Sequence, residues 1–275
     1  MSDSDLELFL KPILSHKTIS NVIPHKGTTL KCYVVLPCYN EARNLESLIK
    51  SIDESLGKRI PYEIVAVNDG SIDGTREVLM RLSSQYPVKV VDHSQNLGLA
   101  EALKTGFKAV IEDIEDDDYV VFMDSDNTHN PRYIPLMINA ARKFDLVIGS
   151  RYVKNGRQIN VPYIRIFMSK AINYLIKLLL KAKVKDFTSG YRCFRASTIK
   201  TLYETFGDHL IVSQGFEASF EVLLKALTCN FKVGEIPIVL DYGLKNGKSK
   251  MRLIPTILNY MRFLLSLKSK LKISI

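Results

Sequence analysis

Two carboxylates one residue apart, Asp124 and Asp126, follow directly on an apolar run at 119–123. The length and β-branched content of that run are those of a buried strand. Where a strand leaves its sheet the backbone need not keep strict alternation. Carboxylates at i and i+2 can then both turn toward one hard divalent cation, which prefers oxygen ligands. A cation held by two carboxylates keeps open positions, and those suit the oxygens of a diphosphate. His129 follows as an extra ligand or a substrate contact, and Pro131 ends the loop and starts the next helix. Taken alone, Asp-Ser-Asp suits a solvated turn held by Asx hydrogen bonds equally well.

The preceding elements must place other chemistry beside this pair. A short apolar strand over 32–36 runs into Pro37, Cys38, Tyr39, Asn40 and Glu41. Proline cannot continue a central ladder, so the chain is expected to leave the sheet there, with Asn40 capping the next helix. A second strand over 64–67 ends in NDGSIDGT at 68–75, a turn from which Asp69 can accept hydrogen bonds from a nucleotide base. A third strand over 88–91 leads through Asn96, Leu97 and Gly98 into a helix over 99–114, and the acidic run 112–118 reads as a solvated loop. Strand and helix alternating four times predict an α/β fold, a parallel sheet with helices on both faces. Ligands of such sheets bind outside the carboxyl ends of the strands, where Glu41, Asp69, Asp124 and Asp126 all fall.

The 275 residues are 46% hydrophobic and 24% charged, an ordinary globular composition that can bury a substantial core. The net charge of +9 is uneven, −6 over 1–149 and +15 from residue 150 onward. A basic half suits nucleic acid, an anionic membrane or a phosphorylated substrate. Aromatic and glycine-rich RNA-binding signatures are missing, so no nucleic-acid partner is expected. Cys32, Cys38, Cys193 and Cys229 form no CxxC pair and suit a reducing compartment. The acidic start lacks the basic region of a signal peptide, and no run is long and apolar enough to span a membrane. The expected location is cytoplasmic.

Two stretches of the basic half, 162–183 and 251–275, carry apolar residues at helical spacing interleaved with Lys and Arg. Such helices lie in a membrane interface or cover a sheet, and two in one basic half favour an anionic membrane surface. Glu217 opens another helix. As a carboxylate it could serve as general base toward a substrate hydroxyl, whereas an already ionised phosphate needs none. Lys248, Ser249 and Lys250 form a polar segment before the last helix.

The motifs VVLPCYNEARNL, IVAVNDGSIDGT, NLGLAEALKTGF and VFMDSDNTHNP, in this order, resemble those of the family 2 inverting glycosyltransferases. The resemblance covers about 32–250 and implies a GT-A fold, with a Rossmann-like, mostly parallel central sheet and an amphipathic helical region on the acceptor side. The implied division is an N-terminal extension at 1–31, a donor half at 32–130, an acceptor half at 131–250 and a basic amphipathic helix at 251–275. Pro37, Tyr39, Glu41, Asp69 and Gly98 would bind the nucleotide-sugar donor, and Asp124 and Asp126 would hold Mg²⁺ or Mn²⁺ on its diphosphate. GSRY at 149–152, DFTSGYRCFR at 186–195 and GKSK at 247–250 look most like the dolichyl- and polyprenyl-phosphate sugar transferases. Arg151, Arg165 and Ser169, with Lys248 and Lys250, are the implied contacts to a lipid phosphate. The implied reaction is metal-dependent sugar transfer to that phosphate at the cytoplasmic membrane face. The alternative is a glycan or metabolite hydroxyl with Glu217 as base. Two positions depart from the family pattern: Thr128 replaces a glutamine metal contact, and Leu244, with Lys245 beside it, replaces an arginine.

Overall fold

The computed structural model describes residues 30–57, 59–180, 182–247 and 253–270. The N-terminal extension, Lys248, Ser249 and Lys250 therefore lie outside the described residues.

The strands of the first half are β1 (Cys32–Cys38), β2 (Tyr62–Asp69), β3 (Val88–His93) and β4 (Tyr119–Phe122). They alternate with helices α1 (Ala42–Leu56), α2 (Thr75–Ser83) and α3 (Leu99–Ile111). The second half adds α4 (Ile134–Ala141), β5 (Leu146–Ser150), β6 (Arg157–Ile159), α5 (Tyr163–Leu180), β7 (Arg192–Arg195) and α6 (Ala196–Phe206). It ends with α7 (Glu217–Thr228), β8 (Val233–Pro237), β9 (Val239–Asp241) and α8 (Leu253–Lys270).

Seven strands form one sheet in the order β3-β2-β1-β4-β7-β5-β8, and β6 pairs with β9 beside it. Only β7 runs antiparallel to its neighbours β4 and β5, so the main sheet is mostly parallel. Alternation along β1 sorts the core into two layers. Val34 and Leu36 pack under Leu45, Leu48, Ile49 and Ile52 of α1. Tyr33 and Val35 pack on the opposite face with Leu103, Phe107 and Val110 of α3. Each such aliphatic side chain contributes about 1.5–3 kcal/mol on full burial. Helix α3 can lie this close because position 106 is glycine; a Cβ there would stand 2.5 Å from Val35 Cγ1.

β1, β2 and β3 run further than their apolar stretches suggest, whereas β4 ends at Phe122, one residue short of its own. β1 continues through Pro37 to Cys38, with Pro37 opposite Val67 of β2. The expectation that Pro37 ends the strand is corrected by geometry. Val35 O accepts Met123 N at 3.3 Å, so Pro37, two residues on, also faces the β4 side, where the ladder has already ended at Phe122. No partner strand misses the absent N–H, and the Pro37 carbonyl accepts from Ser125 Oγ at 2.7 Å.

Candidate active site

The carboxyl ends of β1, β2 and β4 open onto one cleft of about 480 Å³. Its walls include Pro37, Tyr39, Glu41, Asp69, Gly98, Asp124, Asp126 and His129 from the first half, and Arg151, Arg165 and Ser169 from the second. Residues up to 223 positions apart in sequence, Pro37 and Tyr260, thus face one space.

In the first half the β1–α1 turn is built by its neighbour in space. Asn40 does not cap α1; its backbone has φ +52, and its Oδ1 accepts from Ile72 N at 2.9 Å. Asp73 Oδ2 instead receives Ala42 N at 3.3 Å, and Thr75 Oγ1 receives Glu41 N at 2.8 Å. The turn after β2 therefore holds the first turn of α1 and sets where Glu41 points.

Asp69 is buried, and its carboxylate accepts four hydrogen bonds from the chain. Oδ1 takes His93 Nδ1 at 2.7 Å and Leu97 N at 2.8 Å, while Oδ2 takes Asn96 Nδ2 at 3.1 Å and Gly98 N at 2.9 Å. His93 Nε2 reaches Thr105 Oγ1 at 2.9 Å. A nucleobase would have to displace one of these donors to use Asp69 directly. In this arrangement Asp69 shapes the 96–98 loop that lines the cleft.

Ser125, tied inward to the Pro37 carbonyl, turns the carboxylates on either side of it toward the cleft. Asp126 Oδ1 accepts Thr128 N at 3.1 Å and Thr128 Oγ1 at 2.6 Å, so the Asx turn exists together with the outward-facing pair. Asp126 Oδ2 is bonded by the Lys245 ammonium. Enclosure within the cleft raises the Asp124 carboxyl above its ordinary value despite the pull of His129, and Asp126 adds to the rise. Burial acts on Asp126 in the same direction, but Lys245 outweighs it and holds that carboxyl low.

Two cleft-facing carboxylates, one already carrying a cationic group, fit a hard divalent cation. His129 does not complete the set. Its Nδ1 accepts the Asp124 backbone N–H at 3.1 Å and its ring stacks on Tyr191 at 4.8 Å. Among the described residues no three of His, Cys, Asp and Glu converge as a metal-holding group. Beyond Asp124 and Asp126, the ligands would come from the diphosphate and water.

In the second half Arg151 grips Asp186 through both carboxylate oxygens and donates to Thr188 Oγ1 at 2.8 Å. Burial disfavours the charged Asp186, yet the Arg151 guanidinium prevails and keeps its carboxyl below the usual range. Ser169 Oγ receives Tyr152 OH at 2.8 Å and lies 3.3 Å from Thr188 Oγ1. Arg165 lies over the Tyr242 ring, 6.0 Å from its centroid. Both arginines and Ser169 thus line the cleft, as does Thr188, which the motifs did not single out.

Glu217 is placed elsewhere. Its Oε1 accepts Gly215 N at 3.1 Å, and Oε2 is buried without a hydrogen-bond partner. Gln214, Gly215, Phe216 and Ser219 line the cleft, but Glu217 does not. Lys245, by contrast, sits inside the site. Only its place beside Leu244 in a loop of glycine, asparagine and lysine hinted at that.

Helix α5 forms part of the cleft wall. Asn173 and Ile176 are buried, while Tyr163, Ile164, Phe167, Tyr174 and Leu178 are exposed. The apolar residues expected on one face are therefore split. Met168 and Ile172 line the cleft, Ile176 packs in the core, and Ile164, Phe167 and Leu179 point outward. Among the described residues no helix is long and apolar enough to cross a membrane.

Comparison with known proteins agrees with this architecture. Residues 33–203 match the family model "Glycosyl transferase family 2". The dolichol-phosphate mannosyltransferase of Pyrococcus furiosus is 36% identical over 237 residues, which cover 85% of this chain and 62% of that protein. This chain thus spans less than two thirds of that relative's length. The polyprenol monophosphomannose synthase of Mycolicibacterium smegmatis is 30% identical over 226 residues, 81% of this chain and 82% of that one. Among solved structures, the glucosyl-3-phosphoglycerate synthase of Mycobacterium tuberculosis, in complex with Mn²⁺, UDP and glucosyl-3-phosphoglycerate, superposes with a TM-score of 0.61. It is 17% identical and the match covers 90% of this chain and 85% of that one, a likeness of the GT-A fold. The family match, the extent of these relatives and the carboxyl-end cleft lead to one conclusion: this chain belongs to glycosyltransferase family 2.

Proposed function

We propose that this chain transfers a sugar, with inversion, from a nucleoside-diphosphate donor to a polyprenyl phosphate at a membrane surface. The observation that carries this reading is the make-up of the cleft. Carboxylates suited to a divalent cation and a set of Arg151, Arg165 and Ser169 line the same space. A donor diphosphate suits the first, and a second, singly esterified phosphate suits the second. The names of the sequence relatives, a dolichol-phosphate mannosyltransferase and a polyprenol monophosphomannose synthase, support a polyprenyl-phosphate acceptor and a mannosyl donor.

Asp124 and Asp126 would hold Mg²⁺ or Mn²⁺, whose chemistry is to neutralise charge developing on the leaving diphosphate. The chain's own residues position the two substrates. The Asp69-bound 96–98 loop and the β1–α1 turn shape the donor end, and Arg151 with Ser169 and Thr188 fixes the acceptor phosphate for attack on the face opposite the diphosphate. An ionised phosphate oxygen needs no base, in keeping with a Glu217 that is buried, bonded to the Gly215 backbone and not part of the cleft lining. The outward face of α5, with Phe167 and Tyr174 exposed beside Lys170 and Lys177, suits an anionic lipid surface and would bring the acceptor to Arg165 and Ser169 on the same helix.

The test incubates the full chain with UDP- or GDP-mannose labelled in the sugar, Mn²⁺ and a polyprenyl phosphate. Label entering the organic phase only when lipid phosphate is present is the expected result. Donor consumption with all label remaining in the aqueous phase would refute the acceptor assignment.

A further inference from the structure

Lys245 is held in the site from several directions. Its ammonium bonds Asp126 Oδ2, its side chain is 11% exposed, and it lies 5.9 Å from the centre of the Tyr242 ring. The residue after it is fastened to the first turn of α1. Asn246 N donates to Asn44 Oδ1 at 3.1 Å, and Asn44 Nδ2 donates to the Asn246 carbonyl at 3.1 Å. Asn44 is itself braced by Glu41 Oε2 at 2.6 Å and by Asn127 Nδ2 at 3.2 Å. A paired backbone latch thus keeps the ammonium on the carboxylate, whose other oxygen is taken by Thr128.

We infer that Lys245 is an internal counter-ion that excludes free metal from Asp126, so that the site takes up a divalent cation together with a nucleoside diphosphate rather than before it. Two cations cannot share Asp126 Oδ2 without strong repulsion in so enclosed a place. A diphosphate in the same cleft removes the conflict, because its oxygens give the ammonium a new anionic partner within the reach of a flexible lysine. The Asn44–Asn246 latch can stay closed while this exchange takes place. The inference rests on the proposed reading of Asp124 and Asp126 as metal carboxylates, and it adds an order of binding to that reading.

The test measures Mn²⁺ binding to the full chain by electron paramagnetic resonance of the free ion, with no sugar transfer involved, and with UDP or GDP absent or present. For the wild type, the nucleotide it recognises is expected to raise Mn²⁺ affinity about tenfold or more, as positive coupling between two ligands requires. Lys245→Met should bind free Mn²⁺ about tenfold more tightly than the wild type and lose most of that coupling. Lys245→Arg, which keeps the charge, should behave like the wild type. Asn44→Ala, which loosens the latch without altering any charge, should shift free-Mn²⁺ affinity in the same direction as Lys245→Met. Equal free-Mn²⁺ affinity in the wild type and Lys245→Met would overturn the counter-ion role and leave the metal site standing. Failure of every protein to bind Mn²⁺, with either nucleotide present, would overturn the counter-ion role and the metal reading together.

Discussion

The guanidinium of Arg151 closes on Asp186 through two parallel bonds, Nε to Oδ2 at 2.8 Å and Nη2 to Oδ1 at 2.7 Å, and the Arg151 backbone N–H adds a third at 2.9 Å. Asp186 is fully buried, so this pairing is what permits its charge, and it fixes the orientation of the guanidinium in the cleft lining. Loss of one partner from a buried pair of this kind costs about 3–5 kcal/mol.

The pair carries a pH dependence of definite sign. The Asp186 carboxyl is lowered in the folded chain, so its contribution is complete above the ordinary carboxylate value and is lost as pH falls through the lowered one. Urea denaturation of the wild type and Asp186→Asn should differ most near neutrality, and the gap should close on acidification below about pH 4. A gap that stayed constant down to pH 3 would show that the pairing is not the source.

Nucleoside diphosphate should raise the melting temperature only when Mn²⁺ or Mg²⁺ is present. At a hundredfold its dissociation constant a ligand adds about 2.7 kcal/mol, which a thermal-shift panel of UDP, GDP, CDP and dTDP resolves. Asp126→Asn should abolish the metal-dependent part. Retention of the full shift in that variant would remove Asp126 from the metal site.

Glu217→Gln should keep turnover within about tenfold of the wild type, whereas loss of a true general base costs about 10²–10⁴-fold. A collapse in kcat with nucleotide binding intact would restore the hydroxyl-acceptor alternative.

Replacing Phe167 and Tyr174 together by serine should leave stability within about 0.5 kcal/mol per site, because both side chains are exposed. Cosedimentation with vesicles containing anionic lipid should fall markedly at low salt. Unchanged cosedimentation would separate this face of α5 from any lipid contact.

Gly70 has φ +61, and a Cβ on it would stand 2.1 Å from the Gln95 carbonyl carbon. Gly70→Ala should therefore destabilise the chain by about 1–3 kcal/mol through overpacking and weaken nucleotide binding by displacing the 96–98 loop. Chemical denaturation and the thermal-shift panel together read both effects.

Much of this site is legible in the linear chain because its logic is local. Alternating and apolar runs locate β1 to β4, and a carboxylate directly after such a run must lie at the sheet's carboxyl edge, which places Asp69, Asp124 and Asp126 without any long-range information. The motif order adds Arg151, Arg165 and Ser169, and all three do face the same cleft. What spacing cannot carry is which donor meets which acceptor across the fold. Pro37 stays in its strand because β4 happens to stop short of it. Asp73 takes the capping role that local propensity assigns to Asn40, and Asp69 spends its oxygens on the 96–98 loop. Helix α5 has apolar residues on two sides because Ile176 packs in the core while residues such as Phe167 and Leu178 are left exposed, a division that depends on neighbours and not on period. Lys245 lies 119 residues from Asp126, and Asn246 lies 202 residues from Asn44. Alternation, capping and turn chemistry act over a few residues and are written in the order of the chain. Such contacts exist only once packing has carried distant loops to the same edge of the sheet, and the charge balance of the site is settled there.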